Sequence, residues 1–203
     1  MSEVPVPATR IVRWVENFAS RHGAPRLSVT DGALCGVAAD GSTFVARLPF
    51  GQGYAGPSDP AGLAEALELP DRWAVLLVRK GGFAVARMAG DRVEEHKIGQ
   101  RHVQGRTKAG GQSQQRFARR RDNQARQAYE AAAEHAVRLL GDAPMLVVTG
   151  GDHSAVDEVL ADPRLRALDV TGPWLAVADP RRSVLDAAIE DARALRVEVT
   201  NAD

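Results

Sequence analysis

The 203-residue chain is predicted to adopt an α+β (mixed α/β) fold, a mixed β-sheet with flanking helices and a small N-terminal helix-plus-meander extension. Three observations predict it. Short alternating runs separated by Gly-containing turns fill the first half, one long apolar-striped helix follows, and strand–helix units occupy the rest.

The elements follow in order. Ile11, Trp14, Val15 and Phe18 recur at i, i+3, i+4 and i+7, which predicts a helix over Thr9 to His22, with Gly23 as its stop. Arg26 to Thr30, Ala33 to Ala39 and Ser42 to Pro49 read as strands joined by Asp31-Gly32 and Asp40-Gly41, both strong hairpin signals. In the stretch Gly51 to Pro60, the spacing of Gly51, Gly53 and Gly56 matches a dinucleotide-binding fingerprint. That fingerprint needs a helix opening at the glycines, and Pro57 and Pro60 obstruct one, so the stretch reads as a loop. A short helix, Ala61 to Leu69, follows.

Arg72 to Arg79, Gly82 to Met88 and Arg92 to Ile98 form a second meander. Ala118, Ala125, Tyr129, Ala132, Ala136 and Leu140 then make an apolar stripe on a helix beginning near Gln114 and ended by Gly141. Met145 to Thr149 reads as a buried strand, Ser154 to Leu160 as a helix, Trp174 to Ala178 as a strand and Ser183 to Leu195 as a helix. The expected division is residues 1–71, an extension that could continue the main sheet, and residues 72–203, the principal domain.

Apolar residues make up 44% and charged residues 26%, with no run long enough to cross a bilayer, so a membrane protein is not expected. Met1 to Arg21 carries charges through its apolar positions and lacks the core of a secretion signal. Cys35 stands alone, which excludes an internal disulfide framework and fits a cytoplasmic location. Net charge is zero, but its distribution is uneven. Residues 101–126 hold eight Lys or Arg and one acidic residue, net +7; of the chain's 26 basic and 26 acidic residues that leaves 18 and 25, net −7, elsewhere. Phosphate contacts respond to local charge, so this segment fits a polyanion.

Within it, Thr107 to Gln124 reads TKAGGQSQQRFARRRDNQ. Gly110 and Gly111 let backbone bend sharply or approach a ligand closely, and the polar surroundings predict an exposed loop. Gln112 adds a neutral amide and a backbone N–H. Neither is a strong base; they suit a reaction in which water is positioned and a developing oxyanion is stabilised. Arg116 and Arg120 lie i, i+4 and Arg119 and Arg126 i, i+7, giving two guanidinium rows on a helix. With Arg106, Lys108 and Arg121 these can hold an RNA backbone without reading its sequence.

The run Gly110-Gly111-Gln112-Ser113, then Arg116-Phe117-Ala118-Arg119, resembles the middle, catalytic domain of the eukaryotic and archaeal type of peptide-chain release factor. The resemblance extends from about Trp73 onward in element order. It implies a tip that enters the peptidyl-transferase centre of the large ribosomal subunit and promotes hydrolysis of the peptidyl-tRNA ester, with no metal or organic cofactor. By position, Gly110 and Gly111 would shape the loop, Gln112 would place the water, and Ser113 and the following arginines would face ribosomal RNA. The chain has no room for both a codon-reading and a GTPase-recruiting domain, so it looks like the release-factor-like peptidyl-tRNA hydrolases of ribosome-associated quality control, including single-domain actinobacterial members. Codon-independent release by a cytoplasmic monomer is the resulting expectation. A non-catalytic ribosome- or RNA-binding factor and a hydrolase of free peptidyl-tRNA remain as alternatives.

Other constellations read as structural. Asp152, His153, Asp157 and Glu158 have the residue types of a metal site, but Asp152 or Ser154 fits a helix N-cap. His102 lacks a nearby carboxylate to orient it as a base. Tyr54 reads as a loop anchor, Cys35 as a small packed residue, and Trp14, Trp73 and Trp174 as core.

Overall fold

The Asp31-Gly32 pair turns as its sequence dictates: φ angles of 50° and 70° are those of a type I′ hairpin. In the computed structural model, which describes residues 2–100, 112–141 and 143–202, with residue 100 and residues 112–125 described as backbone, this turn organises the first of two five-stranded sheets. In chain order the elements are β1 (Ser2–Val6), α1 (Ile11–His22), β2 (Arg26–Thr30), β3 (Ala33–Val37), β4 (Thr43–Arg47), α2 (Pro60–Glu65), β5 (Arg72–Arg79), β6 (Gly82–Ala89) and β7 (Arg92–Gln100). They continue with α3 (Gln112–Leu140), β8 (Met145–Gly151), α4 (His153–Leu160), β9 (Leu168–Leu175), α5 (Arg182–Ala192) and β10 (Leu195–Thr200). The architecture is α+β.

Contacts group the chain into two units, Met1–Leu69 with Glu190–Asp203, and Pro70–Ile189. The first holds an antiparallel sheet of order β1-β10-β4-β3-β2. Ile11, Val15 and Phe18, spaced for one helix face, are buried from α1, and Trp14 and Phe18 both meet Phe44 edge-on, at 5.4 and 5.1 Å between ring centroids. Tyr54 is buried and its hydroxyl donates to the Pro57 carbonyl at 2.6 Å. A Cβ at Gly56 or Gly62 would come within 2.7 Å of the Tyr54 side chain, so these glycines serve an aromatic anchor. The next helix, α2, starts at Pro60 behind Asp59, whose carboxylate accepts from the Gly62 N–H at 2.8 Å, and not at the glycines of the fingerprint spacing.

The second unit is a mixed sheet of order β7-β6-β5-β8-β9, in which β5, β8 and β9 run parallel and β5, β6 and β7 form an antiparallel meander. Every residue from Trp73 to Val78 is buried, as expected of a central strand covered on both faces. Helices α3 and α4 bury Ala132, Ala136, Leu139, Leu140, Val156 and Val159 in one cluster with Leu76, Val78, Val85 and Val147.

Three expectations need correction. The strand expected at Trp174 to Ala178 is β9, Leu168–Leu175; the helix expected to Leu195 stops at Ala192; and β1 and β10 were not anticipated. Because β10 fills the place between β1 and β4, residues Glu190–Asp203, expected in the principal domain, group with the first unit.

Candidate functional site

The segment of residues 101–111 runs from the end of β7 to the start of α3. Gly110, Gly111, Arg106, Lys108 and His102 belong to it and lie outside the described residues. Gln112 is the first residue of α3, and Ser113, Arg116, Arg119, Arg120 and Arg121 follow it in the opening turns. No Gly or Pro interrupts Gln112–Leu140, and its Gln, Arg, Ala and Glu content favours helix over the full 29 residues. On this backbone Arg116 and Arg120 share one face and Arg119 and Arg126 another. Arg126 is exposed.

Gln112 lies sixteen residues before Ala128, where burial in the core cluster begins among the described side chains; at 1.5 Å per residue that is about 24 Å along the helix axis. The catalytic candidate therefore stands at the first residue of a long helix whose second half is packed into the core cluster.

Two packing contacts hold the stems of the basic segment. Phe83 on β6 pairs with Gly99 on β7, and a Cβ at Gly99 would lie 2.2 Å from the Phe83 ring, so glycine is the residue that lets the ring lie across the end of β7. The same ring, 5% exposed, stacks on His135 of α3 at 5.4 Å between centroids. Phe83 thus touches both stems at once. Burial, with Lys97 and Arg138 nearby, lowers the His135 pKa and favours the neutral ring that stacks there.

The C-terminal end of α3 is tied by charge. Arg87 donates from Nη1 to the Leu139 carbonyl at 3.0 Å and from Nε to Glu94 at 2.8 Å, while Arg138 pairs with Glu95 at 3.4 Å. A guanidinium satisfying a last-turn carbonyl also complements the negative end of the helix dipole. The sequence marks His135 as structural or solvent-facing and does not mark Phe83, Gly99 or Arg87; a Gly before a basic loop is the one available sign.

The remaining constellations take structural places. Asp152 is the N-cap residue of α4, yet its carboxylate turns elsewhere, accepting from the Lys80 N–H at 3.3 Å and facing Arg79 at 3.7 Å. His153 stacks on Trp174 with centroids 3.6 Å apart. Trp73 is fully buried, its indole N–H donating to the Gly90 carbonyl at 2.8 Å, and Cys35 is half-buried. Among the described residues no group of three His, Cys, Asp or Glu side chains is arranged to hold a metal ion, and no helix is long and apolar enough to cross a membrane.

Residues 71–198 match the family model described as the Actinobacteria/chloroflexi VLRF1 release factor. The chain belongs to this release factor family. The match runs from the residue before β5 into β10 and takes in the mixed sheet, both stems of the basic segment and all of α3. None of the curated proteins matches the chain.

Proposed function

We propose that this release factor family member hydrolyses the ester of peptidyl-tRNA on stalled ribosomes or large subunits without reading a codon, and so frees the nascent chain. The observation that carries the reading is Gly110-Gly111-Gln112 at the head of α3, in a chain whose family is that of a release factor.

The chemistry follows from the position. The first four N–H groups of a helix have no intrahelical acceptor, and the helix dipole places partial positive charge beside them. With α3 starting at Gln112, the N–H groups of Gln112, Ser113 and Gln114 are among those donors. They lie where an ester carbonyl turning into an oxyanion, or a leaving ribose oxygen, is stabilised; on the oxyanion-hole precedent one such donor is worth roughly a hundredfold in rate. Gly110 and Gly111 carry no side chain to hinder the ester's approach. The Gln112 amide, neutral at every pH of interest, orients the attacking water. Lys108, Arg106 and the guanidiniums of Arg116, Arg119, Arg120, Arg121 and Arg126, with the Ser113 hydroxyl, bind the surrounding RNA phosphates.

Gly111→Ala, assayed for peptide release on purified peptidyl-tRNA–ribosome complexes and large subunits, tests this directly. Loss of release with ribosome binding retained supports the reading. Binding without release by the unaltered protein would instead identify a non-catalytic factor.

A further inference from the structure

We infer that α1 carries a second RNA contact, a row of arginines that binds the phosphate backbone of double-helical RNA. The row lies before residue 71, where the family match begins, and apart in sequence from the basic segment that leads into α3. Outside residues 101–126 the chain is net −7, yet residues 4–30 hold four arginines and Glu16 as their one acidic residue, net +3. Arg13, Asn17 and Arg21 are spaced i, i+4 and i+8, within about 80° of the helix circumference and about 6 Å apart along its axis. Arg10 stands one turn before Arg13. All four side chains are exposed, and the three guanidiniums make no ion pair among the described residues. Elsewhere in the same unit Arg47, Arg193 and Arg196 are each held by a carboxylate.

The placement of two of these arginines is a separate sign. Neither the 3-10 turn Ala8–Arg10 nor α1, which continues it, has an acidic residue in its first turn, and no side chain caps either start. Arg10 and Arg13 stand there instead, at the positive end of the helix dipole, where a cation is disfavoured and an anion is stabilised. The guanidiniums and the dipole therefore favour the same ligand, a polyanion laid along α1.

The aromatic ring beside the row decides the form of the RNA. Binding of single strands relies on rings on which unstacked bases can lie. Trp14 is committed within the protein, stacked on Phe18 at 5.8 Å and edge-on to Phe44 at 5.4 Å between ring centroids. What α1 offers is guanidiniums, which contact phosphates without reading bases, and that suits a duplex whose bases are already stacked.

Fluorescence anisotropy of a labelled RNA duplex, titrated with the full chain across a salt series, tests this without a peptide-release readout, so its failure would leave the proposed hydrolysis untouched. Arg10→Gln/Arg13→Gln/Arg21→Gln should weaken binding about tenfold or more and make the slope of log affinity against log salt shallower by about one per arginine. The Tm of that variant should hold or rise, because cations leave the positive end of the helix and glutamine forms helix as readily as arginine. Asn17→Lys, which fills the gap in the row, should tighten binding and steepen the slope by about one. Arg26→Gln/Arg92→Gln/Arg181→Gln, the same loss of charge at exposed positions on β2, on β7 and before α5, should leave Kd within about twofold. Equal weakening by that control, an unchanged slope or a lowered Tm in the first variant, no gain from Asn17→Lys, or an equal loss on single-stranded RNA of the same length would each overturn it.

Discussion

Gly99→Ala is the substitution that the geometry around the stems makes most informative. An ideal Cβ at this position lies 2.2 Å from Phe83 Cε1, 2.7 Å from Cζ and 2.9 Å from Cδ1, all closer than carbon atoms approach in folded proteins. The ring has little room to yield, being 5% exposed and stacked on His135. One methyl group forced into a filled site costs about 1–3 kcal/mol, a sizeable part of the 5–15 kcal/mol by which domains are stable. Urea unfolding should show that loss, or a fall of about 2–4 °C in Tm per kcal/mol for a chain of this size. Peptide release should fall as well, because the displaced ring touches both stems of the basic segment. Shrinking the ring relieves the clash, so Phe83→Leu should cost less in the Gly99→Ala background than alone, with a coupling of at least about 0.5 kcal/mol. A Gly99→Ala protein of unchanged stability, or strictly additive effects in the double variant, would refute the account of the stems.

Three further outcomes are expected. Arg116→Ala/Arg120→Ala, two positions on one face of α3, should weaken large-subunit binding and make the slope of log affinity against log salt shallower by about one for each phosphate left without its guanidinium. Asp162, hydrogen-bonded to the Arg164 side chain and N–H, has its pKa lowered to about 2. A depressed carboxyl contributes stability above its unfolded pKa of about 3.9 and loses it as pH falls through the folded value, so the advantage of the parent over Asp162→Asn should shrink in unfolding measurements between about pH 5 and pH 2. His135 is shifted in the direction expected of a buried cation, and its neutral form is the stable one; stability tied to it is complete above about pH 6.5 and declines below, and His135→Gln should flatten that part of the profile.

Sequence periodicity located the meanders and α3 because each has a local signature: Gly-containing turns such as Asp31-Gly32 and Lys80-Gly81, and alanines at helical spacing. The two missed strands lack one. β1 reads SEVPV, and Pro5 argues against a strand until the topology shows it at a sheet edge, where a missing N–H is tolerated. β10 alternates cleanly as LRVEVT, but it begins three residues after α5, inside what reads as the continuing helix. In β9 the Gly172-Pro173 pair looks like a break, and β9 too is an edge strand. At the site, the tripeptide and the arginines are contiguous in sequence and so legible there. The ring that packs against both Gly99 and His135 is not. Phe83 reaches Gly99 only through the β6–β7 register and His135 only through the packing of α3, contacts that no local pattern encodes.

The central claim is that a side-chain-free tip at the head of α3 performs ester hydrolysis. Peptide release measured on large subunits carrying peptidyl-tRNA, with the unaltered protein beside Gly111→Ala, tests it most directly. The account predicts release by the first and essentially none by the second at equal subunit occupancy. Equal release by the two would contradict it.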